Sequence, residues 1–131
     1  MRFVLIALIL LLAQAAQGQE VLAQERWPDG TLKATRYAEG GRIHFITYHE
    51  NGRVRQVGCF LNGRRDGLWR EYSDTGVLLT KAGFRNGERQ GVWEFRSHGD
   101  AVVGRLTYTE GRISTGEQYD EAGALVAVRT Y

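Results

Sequence analysis

The 131-residue chain is poor in the residues that most often announce a site. It has one cysteine, Cys59, one proline, Pro28, and no methionine after Met1. One cysteine excludes an internal disulfide framework, and without histidines at ligand spacing it cannot build a zinc site. One proline among 17 glycines, with no period of three, excludes collagen. The longest apolar run, Phe3 to Leu12, is half of the roughly 20 residues a membrane-spanning helix needs. Beyond that run no apolar periodicity of helix length occurs. Charge bias is also missing: a net +2 is too small to argue for nucleic acid, and none is expected as a partner. With 43% hydrophobic and 24% charged residues the chain reads as one folded domain.

What is present begins with a three-part start. Arg2 is followed by the apolar run of ten, and Ala13-Gln14-Ala15 supplies a small-x-small cleavage pattern. That layout is a secretory signal peptide, assigned to residues 1–18 and expected to form a helix, with the mature domain at 19–131. The chain is therefore expected to be exported, periplasmic or secreted; an uncleaved anchor is the alternative. A lone thiol in an exported chain is either buried and inert or free to pair between chains.

The glycines conceal a repeat. Phe60, Phe84 and Tyr108 are spaced 24 apart, each three residues before a glycine. Val54, Leu78 and Val102 keep that interval, as do Phe45, Trp69 and Trp93, and Tyr48 and Tyr72. The first unit, ending in Tyr37-Ala38-Glu39-Gly40, is one residue short by this alignment. Phe95 to Gly99 sits one residue early, which a bulge or a longer turn at Asp100 would absorb.

Each unit reads as two strands and two turns. Leu68 to Tyr72 is one strand, Ser73-Asp74-Thr75-Gly76 a turn, Val77 to Phe84 the second strand. Asn86-Gly87 then turns in type I′ fashion, a signal repeated at Asn51-Gly52 and Asn62-Gly63. Period-two spacing puts Leu78, Thr80, Ala82 and Phe84 on one face, and Trp69 and Tyr72 on opposite faces.

Gly67-Leu68-Trp69-Arg70-Glu71-Tyr72, Gly76-Val77-Leu78, Phe84-Arg85-Asn86-Gly87 and Gly91 together resemble the MORN-variant repeat of bacterial proteins. The resemblance spans residues 25 to 131. It implies an all-β fold: about four to five tandem β-hairpin repeats of about 24 residues in an elongated, twisted, single antiparallel sheet. Phe45 and Glu117 stand where the repeat pattern has tryptophan. Some proteins with such repeats are labelled antitoxins, but an exported chain would meet only a toxin outside the cytoplasm.

Catalytic patterns are missing. His44, His49 and His98 lack carboxylates or thiols at ligand spacing, and Cys59 has no histidine nearby in sequence. There is no Gly-x-Ser-x-Gly elbow and no phosphate-binding Gly-Lys-Ser/Thr. Neither an enzyme, a metal nor a cofactor is expected. Charge is uneven, however. Residues 53–96 hold eight arginines and Lys81 against five acids, a net +4, between mildly acidic ends. Arg64, Arg65, Arg85 and Arg89 fall at or beside turns; Arg53, Arg55, Arg70 and Arg96 fall on or beside strands. Charges guarding sheet edges are one reading. The other is an arginine and aromatic binding patch of Trp69, Arg70, Tyr72, Arg89 and Trp93. The function expected is a non-catalytic, exported scaffold for a protein partner, envelope-associated or immunity-like. The alternative is a binding module for anionic lipid or cell-wall glycan.

Overall fold

The computed structural model describes residues 18–131, so all but the last residue of the expected signal peptide lies outside the described residues. Ten strands follow one another: β1 (Glu20–Arg26), β2 (Leu32–Glu39), β3 (Arg42–Tyr48), β4 (Val54–Leu61), β5 (Arg64–Tyr72), β6 (Leu78–Arg85), β7 (Glu88–Arg96), β8 (Val102–Thr109), β9 (Arg112–Tyr119) and β10 (Leu125–Thr130). Each pairs antiparallel with its sequence neighbours in one sheet ordered β1 to β10. Among the described residues the sheet is open, with β1 and β10 as its two edges. Among the described residues no helix is long and apolar enough to cross a membrane.

Two turn chemistries alternate. Gly40-Gly41, Asn62-Gly63, Asn86-Gly87 and Glu110-Gly111 carry positive φ at both residues, the type I′ pattern whose twist suits a hairpin. The other turns run Trp27–Thr31, His49–Arg53, Ser73–Val77, Ser97–Ala101 and Asp120–Ala124. In each, the first N–H bonds the fifth residue's carbonyl, and the fourth N–H bonds the first residue's carbonyl. Only the fourth residue there is left-handed. Asn51-Gly52 belongs to this second kind, against the type I′ expectation. Asn51 keeps a negative φ because its Oδ1 accepts the Arg53 N–H at 3.0 Å, an Asx turn.

The repeat is visible in the strands: β4, β6 and β8 start at Val54, Leu78 and Val102, and β5, β7 and β9 at Arg64, Glu88 and Arg112. Gly116, opposite Leu106, and not Glu117 takes the tryptophan position in β9, and three further details differ from the expectations. Gly41, not Gly40, is the counterpart of Gly63, so the first unit is two residues short rather than one. Tyr37 consequently leaves the Phe60 column; it pairs with His44 and stacks on it at 4.8 Å. Second, no extra residue is absorbed near Asp100. The Ser97–Ala101 turn has the same two hydrogen bonds as Ser73–Val77, and Asp100 takes Gly76's left-handed place. Third, a bulge at Leu79 pairs Leu78 with Tyr72, so Leu78 departs from the Thr80, Ala82 and Phe84 face.

Pairing assigns the faces. Trp69 pairs with Ala82, Trp93 with Leu106 and Gly91 with Tyr108, so these side chains share one face. The buried hydrophobic residues Ala34, Trp69, Ala82 and Tyr108 all lie on it, which makes this face the core.

Candidate functional site

The core face is built around a ladder of rings. Phe45, Phe60, Trp69, Phe84, Trp93 and Tyr108 follow one another from β3 to β8. Successive centroids are 6.3, 5.2, 6.3, 5.2 and 5.1 Å apart, mostly tilted or edge-to-face. Those spacings are the favourable ones for ring quadrupoles. The alternation of strands places them: each type I′ hairpin sets an arginine opposite the preceding strand's ring, Arg65 against Phe60 and Arg89 against Phe84. Two residues further, Gly67 and Gly91 present no side chain, and the tryptophan follows two later.

The guanidinium groups use that gap. Arg65 lies 4.8 Å over Trp69 and 5.4 Å over Phe84. One repeat on, Arg89 lies 5.7 Å over Trp93 and 5.5 Å over Tyr108. In the short first repeat Ile43, opposite Ala38, holds the corresponding place, and Arg36 of β2 takes over, 5.1 Å above Phe45. Each such contact is worth about 0.5–1 kcal/mol at an exposed site. All three arginines are exposed, and none is ion-paired among the described residues.

Three of the five residues singled out from sequence, Trp69, Trp93 and Arg89, meet on this face. Arg70 and Tyr72 do not. Arg70 pairs with Val57 and Lys81, and Tyr72 lies beside Val54 and Val57, which places both on the opposite face. Arg89 also proves to be the second residue of β7 rather than part of a turn. Arg36 is not singled out in sequence at all, and Arg65 is expected only beside a turn, outside the patch. The signal for Arg65 is the spacing Arg65, Gly67, Trp69, repeated as Arg89, Gly91, Trp93.

The opposite face carries a cross-strand row of Arg70, Lys81, Glu94, Arg105 and Glu117. Glu94 accepts from Arg96 Nε at 2.8 Å and from Arg105 Nε at 3.3 Å. The Arg96 bond, ahead of Arg105, holds its carboxyl below the usual range despite partial burial. Tyr119 donates to Glu117 and accepts from Arg105; the bond to Glu117 pushes its hydroxyl up.

Pairing also brings together residues that are distant in sequence. His44 and Asp66 stand on either side of Cys59, so the thiol does have a histidine neighbour after all. Its Sγ donates to the Asp66 carbonyl at 2.9 Å, and Arg42 forms an ion pair with the Asp66 carboxylate. That ion pair lowers the Asp66 carboxyl. The thiol hydrogen is thus engaged by backbone, and the half-buried cysteine acts as a packing residue. Among the described residues no three His, Cys, Asp or Glu side chains gather to hold a metal. No family model matches the chain, and no curated protein matches it.

Proposed function

We propose that this chain is a non-catalytic, exported scaffold of MORN-variant repeats that binds a partner protein through the ladder face. The observation carrying this reading is the line of exposed arginines Arg36, Arg65 and Arg89, each already laid over a ring. A guanidinium held in that way loses little further freedom on binding, and its forked donors suit carboxylates. The matching partner is an acidic protein surface, flat enough to meet several repeats. Export rests on the signal-peptide pattern of residues 1–18. With it, the partner is an envelope protein or a toxin encountered outside the cytoplasm.

Glycan binding fits less well. It needs an open indole face for stacking, and Trp69 is only 4% exposed, with Arg65 over its ring. The test is capture from envelope extract with the wild type, an Arg65→Lys/Arg89→Lys variant and Arg70→Lys. The double variant should lose the captured protein while keeping its melting temperature, because lysine preserves charge but not the fork. Arg70→Lys, on the other face, should retain it. Salt should weaken the complex, since exposed charges are screened over about 8–10 Å. Undiminished capture by the double variant would refute the reading. Binding to anionic vesicles or peptidoglycan in place of protein would select the lipid or glycan alternative.

A further inference from the structure

The two edges of the sheet carry much of the apolar surface left exposed among the described residues. β1 and β10 are exposed along their whole lengths. Nine large hydrophobic residues remain exposed among the described residues, and five of them are Val21 and Leu22 of β1 with Leu125, Val126 and Val128 of β10. Val128 is 58% exposed and Leu22 47%. β10 holds a single charge, Arg129, and neither lysine nor proline. Those are the devices that normally keep an edge from pairing. The outer edge of each strand has no strand beside it among the described residues.

The phase of the repeat says what fits there. β2, β4, β6 and β8 are each followed across the sheet by a strand of the second kind, β3, β5, β7 and β9. β10 is of the first kind: its pairs Gln118 to Ala127, Glu117 to Val128 and Gly116 to Arg129 reproduce Phe95 to Gly104, Glu94 to Arg105 and Trp93 to Leu106. β1 is of the second kind. It leads into the same turn as β9, and its pairs Glu25 to Ala34 and Ala23 to Arg36 match Gln118 to Ala127 and Gly116 to Arg129. One chain therefore ends its sheet, on one side, with the strand that the other side lacks.

We infer that copies of this chain associate end to end, β10 of one copy pairing antiparallel with β1 of the next. The β8–β9 register, carried over, sets Ala127 opposite Glu25, Val128 opposite Gln24 and Arg129 opposite Ala23. Glu25 then lies diagonal to Arg129 on the ladder face, a distance long side chains span. Because the interface is heterologous, each copy keeps an edge for the next, and the ladder face runs on from copy to copy.

Analytical ultracentrifugation of the purified chain tests this. The wild-type mass should rise with concentration past two chains. A Val21→Lys/Leu22→Lys variant and a Val126→Lys/Val128→Lys variant should each remain single chains. Mixed together, they should form a complex of twice the mass, since one keeps β10 and the other β1. A wild type that stays a single chain at all concentrations overturns the inference. So does self-association of the β1 variant, which would mean β10 pairs with β10. A Gln24→Cys/Val128→Cys chain with Cys59→Ser gives an independent check should a lysine variant fail to fold. Directly opposed residues lie within disulfide reach, so oxidation should yield a ladder of linked chains. Monomers alone would again count against the register.

Discussion

Trp69 and Trp93 hold the same place in adjacent repeats, yet their surroundings differ. Beneath Trp69 is Gly58, where a Cβ would come within 2.0 Å of the indole. The ring lies down onto β4, is 4% exposed, and leaves its N–H buried without a partner. One repeat on, Ala82 occupies the position of Gly58. Trp93 there stays half-buried, and its Nε1 donates to the Gly83 carbonyl at 3.0 Å. One methyl on the floor thus divides a deep ring with an orphaned donor from a shallower ring with a satisfied one. In a single-layer sheet, core depth is set locally, repeat by repeat.

The largest test of that difference is truncation. Trp69→Ala should cost about 3–5 kcal/mol, the range for a buried large aromatic. Trp93→Ala should cost about half as much, because less of the ring leaves water on folding. Urea midpoints measure both, and equal losses would erase the distinction. Next in size is the floor. Gly58→Ala should destabilise by about 1–3 kcal/mol through overpacking and should shift the tryptophan fluorescence to the red. Ala82→Gly, the reverse exchange one repeat later, should cost no more than about 1 kcal/mol. A harmless Gly58→Ala would show that the indole can lift without loss.

Much of this architecture is legible in the sequence. The interval of 24, the Asn-Gly pairs and the glycine-bounded strands give the two-stranded units, because turn chemistry and period-two patterning are local. The face of each residue is less accessible. Bulges slip the alternation: Leu79 carries no mark in sequence, whereas the slips in β5 and β7 fall at Gly67 and Gly91, glycines in the left-handed region. Arg70, by contrast, follows Trp69 directly, so plain alternation puts it on the opposite side of the sheet, where it pairs with Val57 and Lys81. Arg65 is harder to place. It stands four residues from its tryptophan, and only the side-chain-free Gly67 between them lets the two meet. The juxtaposition of His44, Cys59 and Asp66 depends on strand pairing, which spacing along one strand does not contain.

The opposite face gives a second, smaller contrast between repeats. Arg70 faces the like charge of Lys81, whereas Glu94, its counterpart 24 residues on, faces Lys81 and Arg105. The Glu94 carboxyl is held below its ordinary value of 4.5, chiefly by Arg96. A carboxylate whose folded-state value is depressed stabilises the fold above the unfolded value and loses that contribution as pH falls through the folded one. Wild-type stability should therefore drop on acidification below pH 4.5. Glu94→Gln, with no proton to take up, should show a shallower drop over that window. Parallel acid limbs for the two proteins would mean that the network contributes nothing.

The smallest effect concerns Asp100, the fourth residue of the one second-kind turn among the described residues that lacks glycine there. Its φ is 67°, against 90° for Gly76 and 84° for Gly123 in the equivalent turns. The left-handed region costs an ordinary L-residue about 1–2 kcal/mol, and aspartate somewhat less because its short side chain bonds locally. Asp100→Gly should therefore gain up to about 1 kcal/mol. Against this stands the Arg96 to Asp100 ion pair at 3.0 Å, whose carboxylate is 67% exposed. Exposed pairs contribute about 0–1 kcal/mol, so the backbone gain should prevail by a few tenths. Asp100→Asn separates the two effects: it tolerates the same φ and discards the charge. If conformation dominates, glycine raises the urea midpoint and asparagine leaves it nearly unchanged. If both substitutions lower it equally, the Arg96 pair outweighs the strain, and this turn is held by charge where its counterparts are held by glycine.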